Sequence, residues 1–495
     1  MLLQGSPSAS PATALPEALT AQILQHVPQQ QRLQQCALAC KAWASAAALA
    51  TSHIEQKFKP GQDISAFESW LQQHAGQLES LQLSNEIWGE KHALQLPWAK
   101  LAKLQRLQLQ GFNLMLPGDE DSNTSTPSAC AGASSSSNCE EGTPPAPLLL
   151  PSMQHLQLSS VQLNSVSSLL QLAVGPGLTS LKTHDIRIAE FGSGYVSYSE
   201  GSAQQVAAAI SGLLQQLPRL TVLELPHIPM SAAAVQQLGC MQGLQEVFIE
   251  HVDHMPACDL QHLPSSITQL QFHGNVYGAG SGLRLPPQLQ HLTRLLQLYL
   301  QDCVVQPAVL GSLTSLQVLH LQYCPLPSLN NDDEGYDTEG TAALLDVLSK
   351  MTCLQDLCLS LTGVDTVSTA PQRFAALTAS TQLTRLELGP DDYTPLPKGA
   401  VQYMFPAGRQ LPCLQVLNIS PIIDWRTDFG TGDEWCIDGA DIYSIANCCT
   451  GLQELSIGNS VKPGAEAFVD GCLDKGLYGR LRFRVPSVFF LAPSC

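Results

Sequence analysis

The chain has 495 residues, 44% apolar and only 13% charged, so it holds enough apolar side chain for a large buried core. Its 24 basic residues face 42 acidic ones, a formal charge of −18 without a basic run, which excludes a phosphate-backbone binder and argues against an anionic membrane surface. No apolar run reaches the roughly 18 residues that cross a bilayer.

The first ten residues, "MLLQGSPSAS", lack the basic-then-apolar order of a secretory signal. The sixteen cysteines are scattered without a Cys-x-x-Cys pair. Buried free thiols in a reducing compartment are therefore expected, in the cytoplasm and/or nucleus, rather than disulfides or zinc.

Residues 1–12 read as a disordered tail, and 13–50 as a small all-α segment. Thr13 can cap a helix that Pro16 can begin without losing a hydrogen bond. Leu19, Ile23 and Val27 then recur at steps of four, and Pro28 closes the helix. Leu33, Cys36, Cys40 and Trp43 form a second apolar stripe. So short a segment needs something to pack against. Leu15-Pro16-Glu17, Leu19, Ile23-Leu24, Leu33 and the closing Ala39, Cys40, Lys41 and Trp43 make this segment resemble an F-box. It departs at Ala39, where the family more often has valine, and near Arg32, where an acid is more usual. The resemblance implies docking on the Skp1 adaptor of a cullin-RING ubiquitin ligase, through Leu15, Pro16, Leu19, Ile23, Leu24 and Trp43.

After a linker or cap at 51–77, Leu-x-x-Leu-x-Leu recurs. All-leucine copies begin at Leu78, Leu104, Leu220, Leu295, Leu316, Leu354 and Leu383. With 78 leucines in the chain, chance would give roughly two copies. Other apolar residues fill the slots in copies at Met153, Leu244, Ile267, Leu414, Leu452 and Tyr478, with a degenerate copy at Leu178. The starts at 220, 244, 267, 295 and 316 are 24, 23, 28 and 21 residues apart, within the roughly 20 to 29 residues of a leucine-rich repeat. The chain resembles that family from about residue 70 to 490, with the array itself at 78–490.

The Leu-x-Leu core predicts a short strand in each coil. In "LQVLHLQYC", Leu319 and Leu321 point inward and Val318, His320 and Gln322 outward. Three residues beyond the strand, Asn275, Cys303 and Cys324 occupy a slot where a small polar group can bond to unpaired backbone at the turn. Phe112, Val161 and Ile228 fill it elsewhere. Segments 202–217 and 341–351 have helical spacing. The expected fold is an α/β leucine-rich repeat solenoid, a horseshoe with parallel strands on its concave face, behind the F-box-like helices. Residues 117–147, rich in serine, proline and acid, read as a disordered loop within the array.

Candidate chemical motifs fail. Residues 330–341 imitate a calcium loop, but Thr341 stands where the bidentate glutamate belongs. "GAGSG" at 278–282 lacks the strand and helix of a dinucleotide site. No cysteine has an identifiable base. Neither a catalytic group, a metal nor a cofactor is expected.

Binding is. The outward strand residues of the central repeats include Glu246, Phe248, Glu250, Gln269, Gln271, His273, Gln297, Tyr299, Gln301, Val318, His320 and Gln322, a polar row without lysine or arginine. Glu246, Phe248, Glu250, Gln271, Tyr299 and His320 are the expected target contacts, with Phe248 and Tyr299 as exposed aromatic anchors. The resemblance thus implies the substrate receptor of a ubiquitin ligase, monomeric within a hetero-complex, binding adaptor and protein target but neither nucleic acid nor membrane. The alternative is a non-enzymatic scaffold, for example cytoskeletal or ciliary, whose N-terminal helices are only a cap.

Overall fold

A computed structural model of the chain describes residues 17–28, 31, 47, 51–59, 62, 64–86, 92–116, 150–163, 166–172, 175–188, 200–226, 228, 230–250, 260–274, 283–284, 287–326, 338–360, 369–389, 396–397, 399–419, 439–457 and 482–484. The expected tail at 1–12 and loop at 117–147 lie outside them. The chain divides into two compact units, Met1–Ser197 with Gln215–Leu220, and Tyr198–Leu214 with Thr221–Cys495.

The first unit opens with helix α1 (Glu17–Gln25). Strand β1 (His53–Phe58) and helix α2 (Ile64–His74) follow, in the segment expected as linker or cap. Next come β2 (Ser80–Asn85), β3 (His92–Gln95), β4 (Arg106–Gln110), β5 (Phe112–Met115), β6 (His155–Ser159) and β7 (Gln162–Leu163). Helix α3 (Val166–Leu172), β8 (Ser180–His184) and β9 (Arg187–Ile188) complete it. Strands β1, β2, β4, β6 and β8 pair in parallel, each with the next coil's strand. Strands β3, β5, β7 and β9 form a smaller parallel sheet.

The register stacks like on like. Leu81, Leu107, Leu156 and Leu181 are successive partners, and so are Leu83, Leu109, Leu158 and Thr183. All of them are at most 2% exposed. Each such leucine contributes about 2 kcal/mol by leaving water, and it can do so only against the neighbouring coil.

The second unit repeats the plan. Helix α4 (Glu200–Gln215) leads to β10 (Val222–Leu225), α5 (Ala232–Gly239), β11 (Glu246–Glu250) and β12 (Gln269–His273). Then follow β13 (Leu283–Arg284), β14 (Gln297–Gln301), β15 (Cys303–Val304), α6 (Pro307–Leu310), β16 (Val318–Gln322), α7 (Thr338–Leu348) and β17 (Asp356–Ser360). The rest are β18 (Arg385–Leu388), α8 (Ala400–Met404), β19 (Val416–Ile419), α9 (Gly439–Cys448), β20 (Glu454–Ile457) and β21 (Arg482–Arg484). Apart from β13 and β15, which pair with each other, these strands form one parallel ladder in chain order. Helices α4 and α7 stand where helical spacing placed them.

A backbone relay ties coil to coil. The Gln245 carbonyl accepts the N–H groups of both Thr268 and Gln269, and Thr268 does the same for Leu296 and Gln297. Leu296, Gln317, Gln355, Thr384 and Gln415 continue the pattern. At the strand's other end the chain turns sharply. Ser160, Asp185, Asp302, Tyr323, Gly111 and Gly389 each directly follow a strand with a positive φ. The N–H of Ser160 donates to His184 O and that of Asp302 to Gln322 O, so the turn itself pairs with the next coil.

The slot after the turn behaves as its chemistry requires. Cys303 Sγ donates to Gln301 O at 3.0 Å and to Phe272 O of the preceding coil at 3.8 Å. Cys324 Sγ donates to Gln322 O at 3.3 Å and to Leu300 O at 3.5 Å. Asn275 lies outside the described residues. Phe112, Val161 and Ile228 fill the slot as apolar plugs, at most 2% exposed. The repeat pattern, the parallel ladder and the intervening helices make each unit a leucine-rich repeat α/β solenoid. No described helix is long and apolar enough to cross a membrane.

Candidate functional site

Strands alternate, so every inward leucine leaves its neighbours facing outward. In the second unit the parallel register aligns those outward residues into rows. One row runs Glu224, Phe248, Gln271, Tyr299, His320, Cys358, Glu387 and Asn418. The row beside it runs Val222, Glu246, Gln269, Gln297, Val318, Asp356, Arg385 and Val416. Five of the six expected target contacts are thereby juxtaposed: Glu246, Phe248, Gln271, Tyr299 and His320. Glu250 ends β11, and its side chain lies outside the described set.

The two aromatics were expected to stand exposed, and here the structure differs. Both are half-buried. Phe248 meets the His273 ring edge-on at 4.7 Å, and Tyr299 meets His320 in the same way at 4.7 Å. The cause is distance: His320 is Tyr299's direct register partner, and His273 is diagonal to Phe248, both within reach of a ring on adjacent strands. Each aromatic is thus held in one pose rather than projecting freely.

Hydrogen bonds extend the order. Gln271 Nε2 lies 2.9 Å from His273 Nε2, and Tyr299 OH donates to Gln297 Oε1 at 3.3 Å. His320 Nε2 lies 3.0 Å from Asp356 Oδ1. Burial, then the negative charge of Asp356, pushes the Tyr299 hydroxyl pKa up, so this ring stays a neutral donor. Beyond Asp356, Arg385 Nη2 donates to Glu387 Oε1 at 2.8 Å. Sequence reasoning stopped the row at Gln322 and missed Asp356, Arg385 and Glu387. The signal was there, since "LQDLCLS" and "LTRLELG" carry the same Leu-x-x-Leu-x-Leu frame.

Cys358 is the register partner of His320, and His320 binds Asp356, which sets a thiol, an imidazole and a carboxylate side by side. The thiol cannot act as a nucleophile there. It is 1% exposed, and burial with the Glu387 charge pushes its pKa up to about 12. Cys303, Cys324 and Cys449 are likewise buried, and desolvation raises each of them. Among the described residues no group of three or more His, Cys, Asp or Glu side chains could hold a metal.

In the first unit, the expected adaptor contacts separate. Ile23 stands 50% exposed on α1. Leu24 does not share that surface: it is 1% exposed and packs with Ala21 and Ala47, with Val27 against them. Adjacent helical positions face about 100° apart, which puts Ile23 at the surface while Leu24 packs inward. Leu15, Pro16 and Trp43 lie outside the described residues, as does the side chain of Leu19.

No family model matches the chain, and no curated protein does. Among solved structures it is similar to a leucine-rich repeat protein of Leptospira interrogans, at 15% identity and a TM-score of 0.45, covering 90% of this chain and 92% of that one. It is also similar to an internalin of Listeria monocytogenes, at 16% identity and a TM-score of 0.35, covering 78% and 77%. A third is the leucine-rich repeat ectodomain of the membrane receptor kinase GASSHO1/SCHENGEN3 of Arabidopsis thaliana, in complex with CASPARIAN STRIP INTEGRITY FACTOR 2. There the identity is 13% and the TM-score 0.34, over 89% of this chain and 47% of that one. At such identities and TM-scores the likenesses say nothing of this chain's partners.

Proposed function

We propose that this chain is a non-catalytic recognition subunit of a cullin-RING ubiquitin ligase. Its N-terminal helices dock on a Skp1-like adaptor, and the outward strand face of its second unit holds a protein target. The observation that carries the target half is the ordered row from Glu224 to Glu387, polar at its ends with two locked aromatics between. Rigid aromatics amid satisfied polar groups are the composition of binding hot spots. Carboxylates at Glu224 and Glu246 favour a basic or amide-rich target segment. The adaptor half rests on the F-box-like residues and on Ile23, an apolar side chain left at the surface of α1.

Such a receptor performs no bond chemistry; it raises the local concentration of target lysines near a charged conjugating enzyme. Cytoplasm or nucleus is the compartment this role requires. The test is co-purification of the full chain with a Skp1-like adaptor. Wild type should capture the adaptor, while Leu15→Ala with Pro16→Ala, or Ile23→Asp, should not, with melting temperature unchanged. Capture undiminished in all variants, or absent in wild type, overturns the ligase reading. The alternative is a scaffold whose helices only cap the array, and a wild-type chain that binds target yet captures no adaptor would establish it.

A further inference from the structure

The helical layer of the second unit carries a groove of about 410 Å3 that the strand face does not touch. It lies between α7, the 3-10 helix Pro371–Thr378 and the segment reaching Arg409. Ala375, Ala376 and Ala379 line it with small apolar surface, and Asp346, Arg373 and Arg409 supply its charge. Two guanidinium groups against one carboxylate leave the lining at +1, in a chain whose formal charge is −18.

Neither arginine is spent. Arg373 reaches α7 through Nη1 alone, donating to Asp346 Oδ1 at 3.1 Å and Oδ2 at 3.2 Å, and to Ala342 O at 3.4 Å. Its Nη2 and Nε make no hydrogen bond among the described residues. Arg409 is held by Nη2 on the Thr378 carbonyl, which uses one of its five donors. Gln372, also in the lining, donates to Tyr403 OH at 3.4 Å. Tyr403 is 42% exposed, one of three large apolar or aromatic side chains standing exposed among the described residues, with Ile23 and Tyr443.

We propose that this groove docks an acidic segment of a protein partner. A carboxylate takes the unused edges of Arg373 and Arg409, the fork geometry that guanidinium groups offer best. The acidic side chain's methylenes lie on the alanines, and Tyr403 flanks the segment; arginine and tyrosine are the residues that dominate interface energies. A polyphosphate backbone fits worse. It needs a row of cations, whereas this groove has two and keeps a carboxylate of its own. The strand face has the opposite preference, because its carboxylates favour a basic target, so the two surfaces are separable by probe charge.

The full chain is titrated into a fluorescein-labelled alternating alanine–glutamate peptide, followed by anisotropy at low salt, with the alanine–glutamine peptide as control. We expect the glutamate peptide to bind at least about tenfold tighter than its control, and Arg373→Gln with Arg409→Gln to remove about that factor. Asp346→Asn separates recognition from structure. It breaks the Arg373 ion pair yet removes the competing carboxylate, so it should tighten the glutamate peptide about threefold or more. Equal binding of the two peptides, an undiminished double variant, or weakened binding by Asp346→Asn with an unchanged melting curve would each overturn the proposal. So would arginine-dependent binding of a single-stranded oligouridylate tighter than that of the peptide.

Discussion

His320 Nε2 lies 3.0 Å from Asp356 Oδ1, joining two neighbouring coils across their strand faces. The pair is partly shielded, with side chains 19% and 26% exposed. It also backs Tyr299, whose ring meets the imidazole edge-on. Replacing Asp356 with alanine should therefore cost about 1 kcal/mol in denaturant titration. Asparagine keeps an oxygen acceptor for the imidazole N–H and should cost less than half of that. Equal losses for the two variants would mean that packing, not the hydrogen bond, is what Asp356 supplies.

Phe248 and Tyr299 should matter more to partners than to the fold. Each is half-buried on a surface, so truncation to alanine leaves no closed cavity. The double variant Phe248→Ala with Tyr299→Ala should lower quantitative cross-linking to target about tenfold while adaptor capture is retained. Cross-linking lost instead through α7 or α5 substitutions would move the target site off the strand face.

Alkaline pH should weaken the fold through the thiols. Cys324 sits at about 12 when folded because burial disfavours the thiolate, against 9.0 as the ordinary value. A raised pKa contributes stability in full below the unfolded value and loses it as pH climbs toward the folded one. The loss thus runs from pH 9 to about 12, on the order of 1 kcal/mol per pH unit for each such thiol. Cys324→Ser retains a donor for Leu300 O and does not titrate in this range. Its stability should fall less steeply than wild type between pH 9 and about 10.5; parallel curves would contradict the assignment.

Gly111 is a backbone requirement. Its φ is +78°, and a Cβ built there would lie 2.5 Å from Asn85 O. Asn85 in turn donates through Nδ2 to Gly111 O at 3.1 Å. Gly111→Ala should cost roughly 1–3 kcal/mol, whereas Gly408→Ala, also at positive φ but with no atom near its Cβ position, should cost less. Thermal melting of the two variants gives the comparison.

The inward face was legible because leucine spacing and strand period coincide. Leu319 and Leu321 are at 0% exposure, with half-buried Val318, His320 and Gln322 between and beside them, as the alternation predicts. Even the degenerate copy at Leu178 and the relaxed one at Tyr478 yield β8 and β21. Strand β1 was missed because "HIEQKF" puts Gln56 where the frame wants leucine; Ile54 and Phe58 alone carry its burial. The small sheet of β3, β5, β7 and β9 was also unseen, since its strands run only two to four residues, too short for a period to stand out. The aromatic poses were illegible for another reason. Which histidine a ring meets depends on the register between coils, and loops of unequal length separate those coils in sequence.

In the second unit the strands lie side by side in chain order, joined by the paired N–H groups that each coil offers the one before it. Tension along that stack would not shear the ladder at once. It would unzip it, because only the last coil's hydrogen bonds bear the load at any moment. A coil of 23 or 24 residues releases roughly 80 Å of chain when it peels away. Stretched from its two ends, this array should therefore yield in a staircase of unequal steps, giving way by lengths of chain rather than by a single rupture.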